Sequence, residues 1–190
     1  MSKQTVEILG GIAVGYGPRS ADNDTGSLAS GDGDTKILTL RVNLKNVGEA
    51  GEVAAGTKAS NATTNIYQAG YWAHAPVIPA NSTILSTTAY VDVAAVGGSA
   101  ILFLGTWTIN TDTGVLTADE ASAFHDASSG AVTALTPAGK SMPGDGAAIG
   151  TVSHSADTIV VPSLGDTNDF SAGEVTLVVR FKPPHDSALG

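Results

Sequence analysis

The chain contains no cysteine. A disulfide, a thiolate zinc site and a cysteine nucleophile are therefore all excluded. Aromatic residues make up only 5% of its 190 residues, so a core must be built from Val, Ile, Leu and Ala, which favours thin sheets packed face to face. Charge is scarce as well, at 14% against about 25% in an average soluble domain. Little charge together with 23 glycines and abundant Ala, Ser and Thr suits a surface covered by neighbours. Nine basic residues face 18 acidic ones, for a net charge of −9. A nucleic-acid binder needs a basic footprint, because phosphate contacts supply most of its affinity, and none is visible. No window reaches the roughly 20 apolar residues that span a bilayer. Met1 to Gly11 lacks the basic start and apolar run of a secretory signal, so the expectation is cytoplasmic synthesis and no membrane partner.

What is present reads as all-β. A chain of this length accommodates one sizeable β domain, divided here into an extended N-terminal arm at 1–35, a sandwich at 36–184 with a long loop at 46–76, and a tail at 185–190. Within the arm, Val6 to Val14 is mostly apolar, and Pro18 to Asp34 is dense in Gly, Ser, Asn and Asp, too polar to bury much surface alone. From Lys36 to Lys45, Leu38, Leu40, Val42 and Leu44 alternate with Thr39, Arg41, Asn43 and Lys45, the period-two pattern of a sheet with one buried face. Val47 to Ala73 has no sustained period and ends in Tyr71 and Trp72; so long a loop is usually functional or held by contacts. Alternation resumes at Thr83 to Val93, and short apolar strands follow at Ala100 to Leu104 and Trp107 to Asn110, interrupted at Gly105. Thr111 to Gly114 reads as a tight turn.

A short helix is expected over about 117–127, since Thr117-Ala118-Asp119-Glu120 has capping-box spacing. Short strands are expected at Ala131 to Leu135, Ala147 to Ser153 and Thr158 to Val161. The last strand, Gly173 to Lys182, alternates Val175, Leu177, Val179 and Phe181 with Thr176, Arg180 and Lys182. No repeat of fixed period is present. About eight irregularly spaced strands are best explained by an antiparallel β-sandwich of jelly-roll type, with an up-and-down barrel as the alternative.

The residues offer little chemistry. His74, His125, His154 and His185 are widely spaced and belong to no metal-binding motif. His125-Asp126 with Ser128, and Ser153-His154-Ser155 with Asp157, imitate a hydrolase. Near neighbours in one loop rarely reach triad geometry, and no G-x-S-x-G elbow exists, so no catalytic residue, cofactor or enzymatic activity is assigned. Asp22, Asp24, Asp32 and Asp34 could supply oxygen ligands to calcium but lack the EF-hand register and a closing Glu; solvated turns explain them better. Lys36, Arg41 and Lys45 on the first strand and Arg180 and Lys182 on the last would form one basic patch if those strands are neighbours. Such a patch could dock on an acidic support.

Three segments resemble small virion-associated structural proteins of tailed bacteriophages, marine and cyanobacterial phages in particular. They are Val77-Ile78-Pro79-Ala80-Asn81-Ser82 leading into an alternating strand, Ala100-Ile101-Leu102-Phe103-Leu104-Gly105 after a Gly pair, and Phe170 to Val179. The resemblance spans roughly 77–182. It implies a capsid decoration or cement protein, made in the host cytoplasm and carried on the capsid surface. Its partners would be the major capsid protein and further copies of itself, a trimer being the closed arrangement that suits a jelly roll on a three-fold axis. The alternative is a tail, neck or fibre component that binds host glycans, for which Tyr67, Tyr71 and Trp72 are the candidate contacts.

Overall fold

Alternating segments satisfy their backbone groups by pairing with neighbouring strands, and here the partners come from distant parts of the chain. The computed structural model describes residues 35–57, 64–68, 71–72, 75–110, 112–151 and 155–184, together with the backbone of three strands, β1 (Thr5–Ile8), β2 (Gly11–Tyr16) and β3 (Thr25–Ser30). The remaining strands are β4 (Lys36–Asn43), β5 (Val77–Ile78), β6 (Thr83–Gly97), β7 (Leu102–Ile109), β8 (Leu116–His125), β9 (Ser141–Pro143), β10 (Thr158–Leu164) and β11 (Phe170–Lys182). A 3-10 turn at Leu44–Asn46 and one short helix, α1 (Ala50–Ala54), complete the elements.

The strands form two sheets, a seven-stranded one in the order β1-β2-β3-β4-β11-β6-β9 and a four-stranded one in the order β5-β10-β7-β8. Every strand pair is antiparallel. The two sheets share one apolar core, so the fold is an antiparallel β-sandwich of jelly-roll type. Residues 5–30 place three strands in the large sheet, with β3 paired to β4 from Thr25↔Val42 to Ser30↔Ile37. In the large sheet, Leu38, Leu40 and Val42 of β4 and Val175, Leu177, Val179 and Phe181 of β11 point inward and are buried. The intervening residues point outward, as alternation requires.

Three expectations are corrected. Residues 117–127 are not helical: 116–125 is β8, and the helix of the fold is α1 instead. The turn before β8 is a hairpin, with Asn110 Oδ1 accepting from the N–H groups of Asp112 and Thr113, at 3.0 Å each. It delivers Leu116, Thr117 and Ala118 directly opposite Ile109, Thr108 and Trp107. A cap worth about 1 kcal/mol cannot compete with a ladder of backbone bonds and the burial of Leu116 and Phe124. The stretches 131–135 and 147–151 are turns rather than strands. They bond to strands all the same: Ala95 N donates to Leu135 O (3.0 Å) and Ala148 N to Ala123 O (3.1 Å).

Gly105 lies inside β7 and does not interrupt it. Opposite it, β8 advances from Glu120 to His125 while β7 passes only from Thr106 to Leu104, a pronounced bulge. A Cβ on Gly105 would sit 2.2 Å from Glu120 O and 2.3 Å from Ala121 O. Glycine is required there by the close approach of β8.

The excursion after β4 closes the outer side of the small sheet. Helix α1 packs against both β8 and β10, so it lies across the sheet. Leu164 N donates to Gly48 O at 2.8 Å, extending the free edge of β10. Pro162 sits opposite Leu104. Lacking an N–H, it can only occupy a position whose polar groups point away from β7, toward the side that β5 no longer reaches. Its carbonyl is satisfied there by the Tyr67 hydroxyl, which donates at 2.5 Å and accepts from Gly48 N at 3.2 Å.

Candidate functional site

The first and last alternating segments, β4 and β11, are hydrogen-bonded neighbours, with Thr176 opposite Arg41 and Arg180 opposite Ile37. Their outward residues, together with those of β6, share one face of the large sheet. Not one outward residue of β4 or β11 is buried. Ile37, Thr39, Asn43, Glu174, Thr176 and Val178 are half-buried, whereas Arg41, Arg180 and Lys182 are exposed. Tyr90 and Val93 extend the same face along β6, 45% and 48% exposed.

The charge on this face is mixed rather than basic. Arg41 forms an ion pair with Glu174 on the adjacent strand. The hydrogen bond from Arg41 to Glu174 and the charge of that carboxylate hold the guanidinium's pKa above its ordinary value, with Asp92 adding to the effect. Asp92 in turn accepts from the Thr176 hydroxyl at 2.6 Å. Arg180 and Lys182 lie farther along β11 on the same side. Lys36 has the inward phase of β4, opposite Phe181 at the end of the sheet, and Lys45 lies in the 3-10 turn beyond the strand. The fold thus brings Arg41, Arg180 and Lys182 onto one face and sets Lys36 and Lys45 apart from it.

The aromatic candidates are placed differently from expectation. Tyr67 and Trp72 are core residues, 1% and 3% exposed. They bury the excursion against the sandwich and offer no platform to a glycan. Burial also raises the pKa of the Tyr67 hydroxyl far above the ordinary tyrosine value. Tyr71 is half-buried and packs edge-on against Trp72, with ring centroids 5.7 Å apart. The calcium candidates Asp22, Asp24, Asp32 and Asp34 lie outside the described residues, as do His74, His154, His185 and Ser153. Among the described residues, no group of three His, Cys, Asp or Glu side chains is close enough to hold a metal ion, and no helix is long and apolar enough to cross a membrane.

One polar cluster escaped sequence reading. His125, at the end of β8, is buried, and its Nδ1 lies 2.8 Å from Ser129 Oγ. Ser129 Oγ donates to Asp145 Oδ1 at 2.5 Å, and the N–H groups of Ser129 and Asp126 donate to the same carboxylate at 3.0 and 3.1 Å. A serine hydroxyl has one proton. Because that proton goes to Asp145, Ser129 accepts from His125, which fixes the Nδ1–H tautomer and leaves Nε2 as a bare acceptor. Nε2 is buried and meets no hydrogen-bond partner among the described residues. Burial pushes the imidazole pKa down to about 4 despite the nearby carboxylates of Asp145 and Asp126. In a catalytic triad the carboxylate orients the histidine and the histidine accepts from serine. Here the serine stands in the middle and the histidine donates, so the arrangement ties chain segments together and activates no nucleophile. Neither Asp126 nor Ser128, the neighbours in sequence, supplies the contact.

No protein-family model and no curated protein matches the chain. Among solved structures it is similar to a chain of the capsid of Ralstonia phage GP4, with a TM-score of 0.47 and 15% identity, over 81% of this chain and 87% of that one.

Proposed function

We propose that the chain is a non-enzymatic structural protein of a bacteriophage virion, a capsid decoration or cement protein that stabilises the head by bridging shell subunits. The observation that carries this reading is the outer face of β4, β11 and β6, on which no outward residue of β4 or β11 is buried. Among the described residues, α1 and the segment around Tyr67 cover the outer side of the small sheet, whereas none covers the outer face of β4, β11 and β6. That face is rich in Thr and Val, with Arg41, Arg180 and Lys182 set into it. Such a mixed surface suits a partner that supplies both apolar contact and acidic groups. The sequence resemblance over 77–182 supports the same reading, and repeated weak contacts would add by multivalency. The major capsid protein is the partner, and neighbouring copies of this chain the second contact.

Cryo-electron microscopy of the purified particle tests the proposal. Many copies following the symmetry of the shell are expected, whereas a few copies at one vertex would place the protein in the tail or neck. Reversing Arg41 and Arg180 together to Glu is expected to strip the protein from assembled heads while leaving it folded. Unchanged occupancy would remove the docking face from the proposal.

A further inference from the structure

We propose that His125, Ser129 and Asp145 form an acid-released latch that holds the 144–148 segment against the edge of β8. The latch joins the end of β8 and the turn after it to a segment 16 residues further on. His125 ends β8, Ser129 belongs to the following turn, and Asp145 arrives from the segment after β9. The held segment closes what would otherwise be an open sheet edge. Gly146 N donates to Phe124 O and Ala148 N to Ala123 O, each at 3.1 Å. Its fit leaves no slack, since a Cβ on Gly146 would lie 2.2 Å from Ala123 O and one on Gly144 1.8 Å from Thr87 Oγ1.

The switch resides in the histidine. With Nδ1–H already committed to Ser129, the incoming proton must go to Nε2, where it would create a buried donor and a buried charge with no acceptor. Among the described residues, the charged groups acting on the ring are Asp145 and Asp126; from β6, the Thr87 hydroxyl donates to Phe124 O at 3.5 Å. Opening the latch hydrates the ring and relieves the strain of protonation. The folded pKa is depressed from 6.5 to about 4, so the open state takes up the proton first. The closed state is therefore fully favoured above pH 6.5 and loses ground as the pH falls toward 4. Between pH 7 and pH 4 the opening equilibrium should shift by about 100-fold. Burial pulls the Asp145 carboxyl upward, but the hydrogen bonds from Ser129 and Asp126 outweigh it and hold its pKa below the ordinary value. Asp145 therefore stays ionised through this window, and the titration belongs to His125.

Hydrogen exchange read by mass spectrometry or NMR on the whole chain tests the latch between pH 7 and pH 4, after correction for intrinsic exchange. Protection of the Asp126, Ser129, Gly146 and Ala148 amides should fall at least tenfold, while strand amides of β4 and β11 keep theirs. His125→Asn places an amide N–H near the Nδ1 position and cannot titrate, so its profile should be flat. Unchanged wild-type protection at pH 4, or a parallel fall in His125→Asn, would overturn the proposal. Should that variant fail to fold, the ring shifts of wild-type His125 decide: a titration midpoint well below 6.5 supports the latch, and one at or above 6.5 refutes it.

Discussion

Strands β10 and β11 belong to opposite sheets and differ in a single respect that organises the molecule. All seven residues of β10 are buried, including Thr158 and Ser163. Along the central part of β11, from Val175 to Lys182, burial alternates residue by residue. A strand packed on both faces reads as a continuous apolar run, whereas one packed on a single face alternates. Among the described residues, α1 and the segment around Tyr67 close the outer side of the small sheet, while the outer face of β4 and β11 stays open.

The sharpest way to break this comparison is to insert the same polar residue at two consecutive positions in each strand. In β10, Val160→Asn and Val161→Asn point to opposite faces, yet each should cost about 3 kcal/mol or more, from lost burial and an unpaired amide. In β11, Val179→Asn should cost as much, while Val178→Asn should cost under about 1 kcal/mol. Denaturant midpoints of the four variants provide the measurement. A strong parity effect in β10 would mean that its outer face is not closed.

Closure by the excursion can be tested by a smaller change. Tyr67→Phe removes one oxygen that bonds both Pro162 O and Gly48 N. It leaves a buried acceptor and a buried donor without partners, and the expected loss is about 2 kcal/mol. Urea unfolding checks it, and a loss below about 0.5 kcal/mol would show that the loop is not fastened through this hydroxyl. On the open face the corresponding polar contact should contribute much less. A double-mutant cycle of Arg41→Gln and Glu174→Gln should give a coupling of about 0.5 kcal/mol that fades with salt, as exposed ion pairs do.

Much of the open sheet was legible in the sequence because one buried face writes a period of two into the chain. The alternating segments at 36–45, 83–93 and 173–182 become strands, though the first ends at Asn43 in a 3-10 turn and the others run on to Gly97 and back to Phe170. The closed sheet was harder to read for the same physical reason. Thr158 to Leu164 has no alternation to find, so its pattern signals only a short strand ending early. Burial of Tyr67 and Trp72 depends on a long excursion folding back onto β10, and no local rule reports that return. Nor could the latch be read locally: Ser129 and Asp145 belong to separate turns, and the residues beside His125 in sequence are not its partners. The neighbouring positions of β4 and β11 were legible only as a condition, and the Glu174 that neutralises Arg41 was visible but unassigned.

The misread helix gives the finest test of how the closed sheet ends. Thr117 begins a capping-box pattern, and in a helix its replacement by Val would cost about 1 kcal/mol by removing the cap oxygen. In β8 the same residue stands opposite Thr108 on an exposed stretch at the edge of the small sheet. The hydrogen bond there is made by its carbonyl, which accepts from Thr108 Oγ1 at 3.4 Å, and not by its side chain. A β-branched valine retains the backbone preference of a strand. Thr117→Val should therefore change stability by no more than about 0.3 kcal/mol, within the range of ordinary surface substitutions. Thermal unfolding followed by circular dichroism separates the two outcomes, because a lost cap would lower the midpoint by several degrees. A neutral result means that the ladder with β7, set by the hairpin at Asn110, overrides the local signal, and that the edge left at 117–122 is carried by Asp119 and Glu120, whose charges discourage pairing with a further strand.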